Sequence, residues 1–355
     1  MGLFRGPVLS ILLASLTAFS LFSVAFAYAE GQVKCPAITP PVIRLDIGSR
    51  YEDEDASRSV IDEDANDAVN NALKPLDAYV RSLASLIDEK PEQGHPDIRY
   101  RCLYRSLKTW ADAGALSDLD TLNANLAISP RLSGISIVYY RATQTVMPAP
   151  EDQAAINHWL EERAIDVKSF FDTKAPQMAS RNNLRAWAGL AVSQVGVLTG
   201  NQDLIRWGAD SNQLVICSAD SNGSLPFEMK RGDKALHYQL HAVAPLVVNA
   251  ALLNSRFSDS FAVCDGKLDR IVDFTVTAIN DPTVVGKQVG KKQTFTKGNE
   301  KLEAFQIAWL EPYLKYRKNP KALQLVKRYR PLTNSMLGGN LTDIYDAKDG
   351  EVSPQ

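Results

Sequence analysis

From Ala65 onward the chain repeats its apolar residues at helical spacing and almost nowhere alternates them as a strand would. This constrains the fold more than any motif, because a period near 3.6 paints one face of a helix and a period of 2 paints one face of a strand. The spacing predicts helices over 65–88, 98–113, 117–126, 153–172, 182–199, 202–217, 234–254, 265–279, 300–317 and 320–327. The links between them are short, which favours antiparallel hairpins. No fixed repeat period is visible, so the pattern points to one all-α domain rather than a solenoid. Hairpins arranged about an axis make an (α/α) toroid, or incomplete barrel, with a cleft at its centre or rim.

With 45% hydrophobic residues in 355, the chain can fill one large core. A formal charge of −2 and the lack of long like-charge runs give no reason to expect a nucleic-acid partner. The N-terminus has one basic residue, Arg5, then an apolar run, then small residues at Ala27 and Ala29. That is the pattern of a secretory signal peptide cut after Ala29, leaving 30–355 as a single domain with no stable membrane association. An uncleaved anchor is the competing reading, since the apolar run is nearly long enough to span a bilayer. Export gives the four cysteines a meaning. Cys35 is expected to pair with Cys102 and Cys217 with Cys264, although four cysteines allow two other pairings.

Before the first helix lies a charged stretch, "SRYEDEDASRSVIDEDAND", that reads as flexible. Further on, "DPTVVGKQVGKKQTFTKGNEK" at 281–301 is locally basic through Lys287, Lys291, Lys292, Lys297 and Lys301. It is either a solvated loop or a mobile lid that meets an anion.

Two segments carry polar groups that core packing does not need. In "RNNLRAWAGLAV", Asn182 and Asn183 open an apolar helix, and one asparagine suffices for the cap. In "NGSLPFEMKRGDKALHYQLHAVAPLV", Arg231 precedes His237, Tyr238 and His241. His237 and His241 share a helix face, as a metal pair would, but the intervening Glu of a metalloprotease motif is missing. No metal and no cofactor are expected. Glycoside hydrolysis would need two opposed carboxylates, and no such pairing stands out.

These residues carry a resemblance. "CPAITPP" at 35–41, "WADAGAL" at 110–116, "NGSLPFEMKRGDKALHY" at 222–238, "AWLEPYLKYR" at 308–317 and "NSMLGGNLT" at 334–342 are similar, in order, to motifs of the periplasmic alginate lyases, the poly(β-D-mannuronate) lyases. The resemblance implies an (α/α) toroid, a periplasmic location and β-elimination on a uronate polysaccharide. Asn183 then matches the carboxylate-neutralising Asn of the family's Asn-Asn-His triplet, Arg231 its Arg, and Tyr238 its base and acid. Where that triplet has His this chain has Leu184, and the family's N-terminal Lys is replaced by Arg50, which keeps the charge but not the geometry.

His241, one helical turn from Tyr238, is the candidate to supply an imidazole instead. Arg50, Asn182, Trp187 and His237 complete the set expected to line the substrate, with Asn182 serving the cap and Trp187 mainly core. Arg231 near Tyr238 is expected to lower the phenol pKa. Glu311 is expected to be a buried structural carboxylate. The alternative to a lyase is a non-catalytic relative that binds a uronate polymer or a secretion partner. In either role the protein is expected to act as a monomer.

Overall fold

The structure is a computed structural model that describes residues 1–2, 35–55, 57–89, 97–254, 256–257, 259–294 and 302–345. Apart from its first two residues the expected signal peptide lies outside the described residues, as do Lys297 and Lys301.

The helices from Cys35 onward are arranged as two concentric rows. An inner row runs through α1 (Glu63–Asp88), α3 (Leu122–Thr143), α5 (Asn183–Thr199), α8 (Ala235–Leu253) and α11 (Leu310–Tyr316), each touching the next. An outer row runs through α2 (Ile98–Asp112), α4 (Pro150–Thr173), α6 (Gln202–Cys217) and α9 (Val263–Asn280), again in contact one after another. Each inner helix also packs on the outer helix that follows it, and α11 packs on α12 (Pro320–Tyr329). This is the expected (α/α) toroid of hairpins. Short helices α7 (Pro226–Met229), α10 (Thr283–Val289) and α13 (Leu341–Tyr345) fill the links.

Local signals explain the helix starts. Asp62, Thr121, Asn182, Asn201 and Asn319 each cap a helix by accepting a backbone N–H of its first turn. The inner helices α5 and α8 carry apolar residues all round because neighbours cover every side. Helix α8 is apolar and long enough to cross a membrane, yet most of it is buried in the protein core. Helices α5 and α6 approach closely because Gly189 faces Gly208, where an added Cβ would come within 1.9 Å of the Ser193 hydroxyl.

Four expectations need correction, the simplest being the helix expected over 300–317, which among the described residues is a short 3₁₀ turn (Ala304–Ile307) followed by α11. The helix expected at 117–126 is instead strand β2 (Asp118–Leu119), paired in parallel with β1 (Arg44–Leu45), followed by α3 as far as Thr143. Pro130 and the run of Ser129, Ser133, Gly134 and Ser136 hide the apolar period of α3. Those small residues are buried because the 334–342 motif presses on them; a Cβ on Gly134 would lie 2.5 Å from the Ser335 carbonyl oxygen. The basic segment at 281–301 is not one loop, since its first part is helix α10. Gln293 pins the residues after α10, donating to the Gly232 and Lys291 carbonyls and accepting from the Leu236 N–H. The charged stretch before α1 is a folded hairpin, with Tyr51 bridged to Ile61 and the Asp55 carboxylate accepting the Ser59 and Val60 N–H groups.

Disulfides join Cys35 to Cys102 and Cys217 to Cys264, the pairing expected. Glu311 is fully buried and takes both arms of the Arg330 guanidinium at 2.8 Å, together with the Thr342 hydroxyl at 2.7 Å. It ties the C-terminal motif to α11, a structural role. Glu311→Ala strips Arg330 of those hydrogen bonds and is expected to cost about 3 kcal/mol, read as a lower denaturation midpoint with activity per folded molecule retained.

Candidate active site

Four elements bring the polar residues together: the hairpin at 49–61, the N-terminus of α5, the loop through α7, and the first turns of α8. Asn182 is the α5 cap, its Oδ1 accepting the Leu184 N–H at 3.0 Å. That leaves Asn183 for another task, and Glu228 claims it. The Glu228 carboxylate accepts the Asn183 backbone N–H at 2.7 Å and its Nδ2 at 2.9 Å. Glu228 is 1% exposed, and burial pushes its carboxyl up to about 7 against the opposing pull of Asn183 and Arg231.

One turn beyond Glu228, Arg231 lies with its guanidinium carbon 3.4 Å from the centroid of the Tyr238 ring and 5.3 Å from that of Tyr51. It also donates to the Arg58 carbonyl of the hairpin. Among the described residues no carboxylate, Asp233 and Glu228 included, lies within ion-pair distance of Arg231, and its buried Nε has no hydrogen-bond partner. A guanidinium in that condition is available to an anion.

The Tyr238 hydroxyl is hydrogen-bonded to the Tyr51 hydroxyl. Burial, then the Tyr51 phenol, holds the Tyr238 phenol well above its ordinary pKa. Arg231 pulls in the expected direction, but burial outweighs it. The free phenol is therefore protonated at neutral pH.

Arg50 sits next to Tyr51, with one guanidinium nitrogen donating to both Asn66 (2.8 Å) and Asn70 on α1. Burial and the neighbouring Arg131 lower its pKa, while the Tyr51 and Tyr238 phenols act in the opposite sense. Arg131, on α3, is paired with Asp77 through two hydrogen bonds. His237 is exposed, with its ring 5.1 Å from that of Tyr238. His241 is partly buried, and burial lowers its imidazole to about 3, so it is neutral at physiological pH.

Trp187 is a correction. At 3% exposure it lies against the His241 ring at 5.4 Å and donates its indole N–H to the His241 carbonyl, so it props the site and offers no face to a sugar. Leu184 is partly buried against the apolar core, at the position next to Asn183. Sequence reasoning missed Tyr51 and Arg131. Tyr51 adjoins Arg50, but only the hairpin carries it to Tyr238, and Arg131 sits in the helix whose period was hidden.

The set as a whole offers a cation with no ion-pair partner among the described residues, an amide fixed by a buried carboxylate, and a pair of hydrogen-bonded phenols. Such groups can neutralise a substrate carboxylate and move a proton. The alginate lyase family model matches residues 46–285, a span that includes every one of these residues. The chain belongs to the alginate lyase family. Its relatives include the alginate lyase of Pseudomonas syringae pv. syringae, 28% identical over 88% of this chain and 83% of that one. The alginate lyase of Pseudomonas aeruginosa (strain LESB58) is 27% identical over 89% and 86%. The crystal structure of alginate lyase A1-III from a Sphingomonas species has the same fold, with a TM-score of 0.71 at 20% identity, covering 86% of this chain and 85% of that one. Variants of that enzyme with a His replaced by Ala, or a Tyr by Phe, are known in complex with a tetrasaccharide.

Two surface cavities lie outside this cluster. One, of about 450 Å³, is lined by Leu116, Thr121, Leu122, Phe170 and neighbours and contains none of the site residues. The other, of about 490 Å³, adjoins it between the hairpin and the Arg231 loop, with Ser57, Lys230, Gly232 and Lys291 in its wall.

Proposed function

We propose that this protein is an exported polysaccharide lyase that cleaves a uronate polymer, alginate-like or glucuronate-containing, by β-elimination at Asn183, Arg231 and Tyr238. The observation that carries the reading is the Arg231 guanidinium laid on the Tyr238 ring with no carboxylate among the described residues at ion-pair distance. An anionic sugar supplies that missing charge.

The C5 proton of a uronate is poorly acidic while the adjoining carboxylate keeps its full charge. Arg231 and the Asn183 amide neutralise that charge and stabilise the carbanion-like transition state. A protonated phenol suits the next step. As the C5–H bond breaks, the proton passes to the Tyr238 oxygen, while the phenol proton goes to O4. The C4–O4 bond breaks, the C4=C5 double bond forms, and Tyr238 ends neutral as it began. One residue can do both only if H5 and O4 lie on the same face of the sugar. Leu184 can neither carry charge nor move a proton, so no base stands at the family His position for elimination across opposite faces. Arg50, Lys230 and Lys291 extend the positive surface along the polymer, while His237, whose imidazole is lowered to about 4 by burial, Lys234 and Arg231, adds a neutral ring beside Tyr238.

His241 stands in for part of the missing imidazole. Being neutral, it contributes a hydrogen bond and no charge. His241→Ala is expected to lower kcat/KM about tenfold. Because the imidazole protonates only near pH 3, the wild-type rate profile should have no limb from it between pH 5 and 8. An H241A protein with full activity would remove His241 from the mechanism.

The N-terminal sequence and the two disulfides support export to the periplasm, where the enzyme acts as a monomer on the polymer. A second reading rests on Leu184: a non-catalytic relative that binds uronate polymer in exopolysaccharide secretion. One experiment separates the two. The purified protein is incubated with alginate, polyglucuronate and uronate-bearing exopolysaccharides, and ultraviolet absorbance of the unsaturated product is followed. Product on any of them supports the lyase; binding with no product supports the second reading.

A further inference from the structure

Asn183 is the first residue of α5, so its backbone N–H has no partner within the helix. Glu228 supplies one, and with its second oxygen takes a hydrogen from the side-chain amide of the same residue. Both residues are buried, at 2% and 1% exposure. In its ionised form the Glu228 carboxylate is acceptor-only, so it can receive two donors at once, and it dictates which end of the amide faces it. The nitrogen end faces Glu228. Its second N–H, which no group among the described residues takes up, is turned away from Glu228.

We propose that Glu228 is a positioning residue for the elimination, holding the Asn183 amide so that its remaining N–H meets the uronate carboxylate. The proposal rests on the lyase reading of the site. Glu228 itself is sealed beneath Asn183 and has no exposed oxygen to offer a sugar. Burying a charge where a neutral amide would fit costs stability, and the raised carboxyl pKa reflects that cost. Glutamine would fill the same space but could not do the same work. Its single oxygen must accept the fixed backbone N–H of Asn183, which leaves its NH₂ facing the Asn183 side chain. Asn183 must then flip and present its own NH₂ and oxygen in the wrong order to the substrate. Arg231 is the charged group facing Glu228, and its backbone N–H donates to the Glu228 carbonyl at 3.0 Å. A role for Glu228 as mere counter-charge to Arg231 must therefore be told apart from positioning.

The test is steady-state kinetics of unsaturated-product formation on a polymer the wild type cleaves, for Glu228→Gln, Glu228→Asp, Asn183→Ala and the Gln/Ala double variant. Glu228→Gln is expected to lower kcat 10- to 100-fold with KM changed less than threefold. Glu228→Asp keeps the charge but cannot reach both donors, and kcat should fall again. The double variant should be no slower than Asn183→Ala alone, because the carboxylate acts only through that amide. If Glu228→Gln does not fold, Glu228→Asp carries the test. A Glu228→Asp enzyme at the wild-type kcat, or losses that multiply in the double variant, would overturn the proposal and leave the lyase reading intact. A wild type that makes no unsaturated product from any uronate polymer overturns that reading, and the proposal with it.

Discussion

Replacing Tyr238 with phenylalanine is expected to lower kcat at least a thousandfold while leaving KM and thermal stability nearly unchanged. The substitution deletes one oxygen, and in the same-face mechanism that oxygen both accepts the C5 proton and delivers one to O4. Losing either transfer costs ~10² to 10⁴ in rate, so losing both places the effect at the upper end. The ring remains, and with it the stacking on Arg231. The Tyr51 hydroxyl loses its partner but is only partly buried and can turn to water. Initial rates of unsaturated-product formation, paired with a melting curve, check this. In alginate lyase A1-III a Tyr-to-Phe variant has been obtained with a tetrasaccharide bound. A rate within tenfold of wild type would mean that another group moves the proton.

Arg231→Met is expected to lower kcat by ~10² to 10³, the cost of removing one strong electrostatic contact to developing charge. Methionine keeps an apolar, flexible side chain over the Tyr238 ring, so the deficit reflects charge and not a hole. Two further effects act in the same direction. The guanidinium is the one neighbour that lowers the Tyr238 phenol, so its loss makes the phenol a weaker acid toward O4. Its hydrogen bond to the Arg58 carbonyl also holds the hairpin against α8, so KM should rise as the hairpin loosens. Saturating rates and KM measured together resolve the two contributions. An unchanged kcat with a raised KM would reduce Arg231 to a binding residue.

Much of the toroid was legible in the sequence because amphipathic helices announce their length through their period. Helix α1 does so with Val69, Leu73, Leu76, Val80, Leu83 and Ile87. Helix α3 does not, since the close approach of the 334–342 motif demands Ser, Gly and Pro on a buried face, and those residues mimic a break. At the site, the role of Asn182 as cap follows from the local chain alone. The partner of Asn183 does not: 45 residues separate it from Glu228, and an acidic residue before Arg231 reads as its counter-ion. Tyr51 was hidden for a related reason. A run of Glu and Asp around it suggests a solvated strap, whereas Asp55 folds the strap into a hairpin that delivers a phenol to Tyr238. The pKa of Tyr238 was misjudged because proximity to Arg231 is visible in sequence and burial is not.

The central claim is that one tyrosine performs the whole elimination in a site whose second base has become Leu184. Mannuronate and guluronate differ only in configuration at C5, so H5 and O4 share a face in one and oppose each other in the other. Glucuronate has the mannuronate arrangement at C4 and C5. The decisive measurement is the rate of unsaturated-product formation on polymannuronate, polyglucuronate and polyguluronate, for the wild type and for Tyr238→Phe. The account predicts product from polymannuronate, polyglucuronate or both, none from polyguluronate, and at most about a thousandth of the wild-type rate from the variant. Cleavage of polyguluronate, or a Tyr238→Phe protein that cleaves within tenfold of the wild-type rate, would contradict it.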